Sequence, residues 1–249
     1  MRHPFVQFAL VVVLSLGGVV SRASDDGRSA TTDEKPEVGE TIELAELSEP
    51  PERIAKLIEQ GKVSMFYGRK PWREIVAARD RIGVSGRRLR LLAETKFELD
   101  YNYRSRSSWR IREGQKRELR VSVRYTEANL KYEHKIWFRH RPRTDGFWDD
   151  SLVLHEFDHV KISTKTILGE KFVQKLRASP VFTVTIGDDD RVDNAFVRKL
   201  IDKRVKDVFD EMVDLISIRY KELDRITDHG QRPIPAESKI ESWLSDQEK

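Results

Sequence analysis

Val153-Leu154-His155-Glu156-Phe157-Asp158-His159-Val160 places H-E-x-x-H in an apolar setting. On an α-helix His155 and His159 share a face, with Cβ atoms roughly 5–6 Å apart. Tetrahedral zinc, with Zn–N of roughly 2.0–2.1 Å, needs its nitrogen ligands only about 3.3 Å apart, within reach of imidazoles at that spacing. Glu156 then stands beside the metal as general base for a water. The stretch predicts the active-site helix of a zinc hydrolase. It requires a third ligand and a scaffold from the rest of the chain.

The chain has 249 residues, enough for one domain of ordinary size with appendages and a sizeable core. Charged residues make up 35% and hydrophobic ones 38%, which is polar but globular. The net charge of +4 is too mild to indicate a nucleic-acid binder. There is no cysteine, so the chain forms no disulfides and any metal site uses His, Asp or Glu. Residues 1–23 read as a signal peptide. Arg2 and His3 open it, an apolar run from Phe8 to Val20 follows, and Ser21-Arg22-Ala23 sets small residues around a cut before Ser24. That run is shorter than the roughly 20 residues a membrane span needs. The expectation is an exported protein, periplasmic or extracellular and of bacterial type, with no stable membrane span after cleavage.

Residues 24–50, acidic and rich in Ser, Thr and Pro, read as a flexible linker, and 51–249 as the functional domain. Ile54, Leu57 and Ile58 predict a helix over Glu52–Gln60 stopped by Gly61, and a second is expected over 71–81. The period then changes to two, at Phe97, Leu99, Tyr101 and Tyr103 and again at Leu119, Val121, Val123 and Tyr125. With a β-prone run over 131–140 this predicts a three-stranded antiparallel meander, with connections near 106–114 and 126–129. Asp149, Asp150 or Ser151 caps the H-E-x-x-H helix, and a continuation runs to Ala178 before Pro180. Phe182, Val184 and Ile186 alternate in a short extended run. Asp188-Asp189-Asp190 lacks the glycine and terminal glutamate of a calcium loop and reads as a solvated turn. A long helix is expected over 193–223, and Ile240, Trp243 and Leu244 mark a last amphipathic turn.

Five histidines follow the leader: His134, His140, His155, His159 and His229. His134 and His140 read as strand-face residues. His229 lies in Asp224-Arg225-Ile226-Thr227-Asp228-His229-Gly230, just past the long helix, where Gly230 is free to take positive φ. An imidazole on such a turn can swing onto a metal held by the first helix. Asp224 and Thr227 are polar enough to orient it from behind. Carboxylates compete for the third position: Asp224, or Asp210, Glu211 and Asp214 on the long helix.

The two motifs together resemble a family of secreted or periplasmic bacterial proteins described as zinc-dependent proteases. Their shared marks are an H-E-x-x-H helix and a downstream D-x-x-T-x-H-G, here His155–His159 and Asp224–Gly230, and the resemblance covers roughly residues 85–232. A tyrosine usually precedes the family's aspartate; this chain has Leu223 there and Tyr220 a helical turn earlier. The resemblance implies an α+β, zincin-like fold and a Zn2+-dependent hydrolase. His155, His159 and His229 are the expected ligands, Glu156 the base, and Tyr220 a helper that polarises the scissile carbonyl. Peptide or protein is the expected substrate.

Arg87, Arg88, Arg90, Arg104, Arg106, Arg110, Arg112, Lys116, Arg117, Arg120 and Arg124 crowd into the strand region. Alternation with Leu119, Val121 and Val123 makes a solvated sheet face the first reading, and export argues against nucleic acid. A patch for an anionic envelope polymer is the second. Two classes of function follow. The first is a single-domain zinc peptidase. The alternative is a non-catalytic envelope protein on the same scaffold, binding metal or an anionic polymer.

Overall fold

Alternation of inward apolar and outward polar side chains sets the sheet. The computed structural model describes residues 7–8, 39–70, 91–114 and 116–244. The leader apart from Gln7–Phe8, residues 24–38 of the expected linker, and the helix expected over 71–81 lie outside the described residues. The strands are β1 (Gln7–Phe8), β2 (Glu40–Thr41), β3 (Val63–Tyr67), β4 (Ala93–Arg112), β5 (Glu118–Phe138) and β6 (Val181–Thr185). The helices are α1 (Glu52–Gly61), α2 (Ser151–Thr164), α3 (Thr166–Ala178), α4 (Asn194–Thr227) and α5 (Lys239–Leu244). This is a mixed α+β chain with a sheet, several helices and a long C-terminal helix. No described helix is long and apolar enough to cross a membrane.

Instead of a three-stranded meander, two strands of 20 and 21 residues form the hairpin. The connection expected at 126–129 is strand. Buried positions in β5 fall on odd numbers from Leu119 to Tyr125 and on even numbers at Ala128, His134 and Ile136. That change of parity breaks the simple alternation and resembles a turn in the bare sequence.

The chain divides into two compact units. One holds Leu99–Tyr132 and Ile162–Tyr220. In it β5 pairs antiparallel with β6, Leu119 beside Val184 and Val121 beside Phe182, and β1 pairs with residues 101–102 of β4. The inward face packs on α3 and α4: the Tyr101 ring lies 6.2 Å from that of Phe172 and 4.7 Å from that of Phe209. Tyr103 donates to Asp202, which also accepts from Arg198 at 3.1 Å. Asp193 caps α4 through its Oδ1, which accepts from the Phe196 amide. The Asp188–Asp190 turn is exposed, and Arg117 donates to the carbonyls of Gly187, Asp188 and Asp190.

The other unit holds Val12–Glu98, Glu133–Lys161 and Lys221–Lys249. Here β3 runs parallel to the end of β5, Met65 beside Ile136, and β2 pairs antiparallel with β3. Residues 39–50, within the stretch read as linker, belong to this unit. Ile42 is buried, its amide bonds the Met65 carbonyl, and Trp148 Nε1 donates to the Ser48 carbonyl at 2.7 Å. An aromatic chain of Phe138, Phe147, Trp148 and Phe157, with centroids 6.1, 4.7 and 5.9 Å apart, packs edge to face. With Ile54, Met65, Val153 and Val160 it forms the core that seats α2. Burial of Phe157 alone contributes about 2–3 kcal/mol.

His134, buried on β5, contacts the Gly61 carbonyl through Nδ1 at 2.7 Å. A Cβ on Gly61 would stand 2.9 Å from both His134 Nδ1 and Val160 Cγ1, so only glycine lets α1 end this close to β5 and α2. Burial pushes the His134 ring down to about 4 from its ordinary 6.5. The unfolded chain therefore binds a proton that the folded chain refuses between those values, and stability falls as pH drops from 6.5 to 4 and no further below. The loss is about 3 kcal/mol. His134→Asn keeps a donor for Gly61 and removes the titration. Urea unfolding of the two proteins across that window should show the wild type losing about 3 kcal/mol more than the variant.

Candidate metal centre

Asp150 starts α2 by accepting from the amides of Leu152 and Val153, at 2.8 and 3.3 Å. The helix packs its Val153–Phe157–Val160 side into the core and still buries His155, Glu156 and His159, which are 5%, 3% and 4% exposed. Polar groups so placed must find partners or destabilise the fold. The partners come from two segments far from α2 in sequence.

For the histidines the partner is Asp224, in the last turn of α4. His155 Nε2 and His159 Nε2 lie 3.2 and 3.0 Å from Asp224 Oδ1. The two rings meet edge to face with centroids 4.8 Å apart. One ligand atom each from His155, His159 and Asp224 falls within 4.8 Å of the other two. The 3.0 and 3.2 Å separations are close to the edge of about 3.3 Å of a tetrahedron with metal–ligand bonds near 2.0 Å. Two imidazole nitrogens and one carboxylate oxygen are also the donor set of known catalytic zinc sites. The group could hold a metal ion.

His229 stands beside this group. Its Nδ1 is 3.5 Å from Asp224 Oδ1, and it is outside the three residues whose ligand atoms converge. The turn that carries it follows from how α4 ends. The His229 amide bonds back to the Asp224 carbonyl at 3.0 Å, a six-to-one closure. Thr227 is buried; its hydroxyl donates to the Leu223 carbonyl at 2.7 Å and accepts from the Gly230 amide at 3.2 Å. Asp228, His229 and Gly230 all have positive φ, at 51°, 55° and 79°. A Cβ on Gly230 would lie 2.8 Å from Cγ of His155 and 3.0 Å from its Cβ and Cδ2. The glycine is thus needed twice, for its backbone and for its contact with the His155 ring.

Glu156 points to β4. Its Oε2 accepts from Thr95 Oγ1 at 2.6 Å, and the same hydroxyl lies 3.2 Å from the Glu156 carbonyl. Burial pushes the Glu156 carboxyl up to about 7, against the lowering effects of His155 and Thr95. Burial also acts to raise Asp224, but the imidazoles facing it hold that carboxyl well below its usual range. The hydrogen bond to Asp224 raises His229. Thr95 was not foreseen. Its one signal is a hydroxyl at an inward position of an otherwise apolar alternation, Ala93, Thr95, Phe97, Leu99. Tyr220 is buried in the other unit, where its hydroxyl bonds Ser163 Oγ at 2.9 Å. His140 is exposed.

The Gly230–His155 contact makes a specific prediction. Gly230→Ala should lower zinc affinity by roughly 10- to 100-fold, the range for loss of support behind a ligand, measured by competition with a chromophoric chelator. Wild-type affinity in this variant would show that the ring does not depend on the turn. Comparison with family models, curated proteins and solved structures found no match.

Proposed function

We propose that the chain is an exported zinc-dependent hydrolase of zincin-like type that cleaves peptide bonds. The observation that carries this reading is the convergence of His155 Nε2, His159 Nε2 and Asp224 Oδ1 next to a buried glutamate one residue along the same helix. These three residues would hold the ion. Zinc supplies Lewis acidity, which polarises a carbonyl and acidifies a water. Glu156 is placed to take a proton from water at Oε1 or Oε2 and return it to a leaving amine. Burial raises this carboxyl above its ordinary range, which strengthens it as a base. Thr95 fixes one carboxylate oxygen, so the other is oriented by the same hydrogen bond. Asp224 neutralises part of the cation's charge and, through His229, is held from its outer side.

A second reading, a closed and non-catalytic metal site, rests on His229, whose Nδ1 lies 3.5 Å from Asp224 Oδ1. A ring that joins the other three as fourth ligand leaves no position for water. Glu156→Gln separates the readings. Zinc stoichiometry should stay at that of the wild type while hydrolysis of a casein or peptide-library substrate falls by roughly 10²- to 10⁴-fold. Full hydrolysis by the variant contradicts the proposed base. A zinc-loaded wild type with no hydrolysis of any peptide supports the closed site.

A further inference from the structure

The outward face of the β4–β5–β6 sheet carries a set of arginines with no anionic partner. In β5 the odd residues Leu119, Val121, Val123 and Tyr125 are buried, so Arg120, Ser122 and Arg124 face out. On β4 the matching exposed positions are Arg104, Arg106, Arg110 and Arg112. Thr126 Oγ1 donates to the Arg104 carbonyl, and Arg104 pairs with Glu127. β4 and β5 are neighbours in the sheet, so Arg106 and Arg110 share the outward face with Arg120 and Arg124. Like charges crowded on one sheet face repel. β6 extends the face with Val181, Thr183 and Thr185, of which Thr183 lies beside Arg120, and adds no acid.

Four other cations of the same unit are neutralised locally. Lys203 pairs with Asp207, Lys206 with Asp210, Lys175 with Glu211 and Arg198 with Asp202. Among the described residues Arg106, Arg110, Arg112, Arg120 and Arg124 have no such partner. All five are arginine. A guanidinium fork binds a phosphate by two parallel hydrogen bonds, which a lysine cannot do. The hydroxyls of Ser108, Ser122 and Thr183 interleave with them as neutral donors. Alternate residues on a strand repeat about every 6.8 Å, so the cations form two parallel rows rather than one cluster. Rows suit a linear chain of anions. The large apolar side chain this face exposes is Val181, at 38%, beside Ser122, which is little surface for insertion into lipid.

We infer that this face binds a linear phosphodiester polymer, with the arginine rows of β4 and β5 gripping successive phosphates. The test uses the full chain and two probes, poly(glycerol phosphate) and a mixed-sequence single-stranded oligodeoxynucleotide, with phosphatidylglycerol vesicles as a third arm. Arg106→Gln/Arg124→Gln is compared with Lys203→Gln/Lys206→Gln, which removes the same charge from paired positions on α4. Wild type should bind at least one polymer with an affinity that falls with salt. The arginine variant should bind roughly tenfold more weakly, with a log–log salt slope smaller by about 1.4, that is about 0.7 per lost contact. The lysine variant should match wild type, and both should melt no lower than wild type. Binding to poly(glycerol phosphate) alone identifies a polyol-phosphate source; binding to both polymers supports phosphodiester recognition in general. No binding to either polymer, equal weakening in the two variants, or binding to vesicles only overturns the inference.

Discussion

One carboxylate oxygen, Oδ1 of Asp224, faces the Nε2 atoms of both His155 and His159 within 3.2 Å. The rest of the site depends on that approach. α2 buries three ionisable side chains in two turns, and an unpaired buried polar group costs about 1–3 kcal/mol, more when charged. Asp224 satisfies two of them and Thr95 the third. The helix can sit in its aromatic core only because a strand and the end of a distant helix bring those partners. Folding and site assembly are one event in this unit.

The turn after α4 shows what that arrangement costs. Left-handed backbone at a residue with a side chain costs about 1–2 kcal/mol, somewhat less for aspartate. Asp228 and His229 both adopt it. Such strain persists where the surroundings over-determine it. Here the Thr227 hydroxyl, the His229 amide and the close fit of Gly230 on His155 fix the turn from three sides. The result sets the His229 ring beside the carboxylate and closes the back of His155.

Local chemistry was legible in the sequence wherever a feature is short-range. The helix at 151, its Asp150 cap, the stop at Gly61, the strand near 182 and the long helix from 194 follow from periodicity and capping residues. The length of β5 was not legible, because a parity change near residue 127 imitates a turn. The parallel pairing of β3 with β5 was not legible either, since Val63–Tyr67 carries no signal of its partner. In the site, His155, Glu156 and His159 are readable from i, i+4 spacing alone. Asp224 and His229 were both visible in one motif, but the choice between them depends on how the helix ends, which spacing does not encode. Thr95 comes to Glu156 across 61 residues, a distance over which only the fold supplies the contact.

Zinc K-edge X-ray absorption on the zinc-loaded chain tests the ligand set most directly, because imidazole rings give multiple-scattering features that can be counted. A first shell of nitrogen and oxygen near 2.0 Å with two imidazoles is expected, at about the Zn–N and Zn–O distances of known sites. Three imidazoles would move the third ligand from Asp224 to His229. Failure of the purified chain to retain zinc would contradict the metal centre altogether.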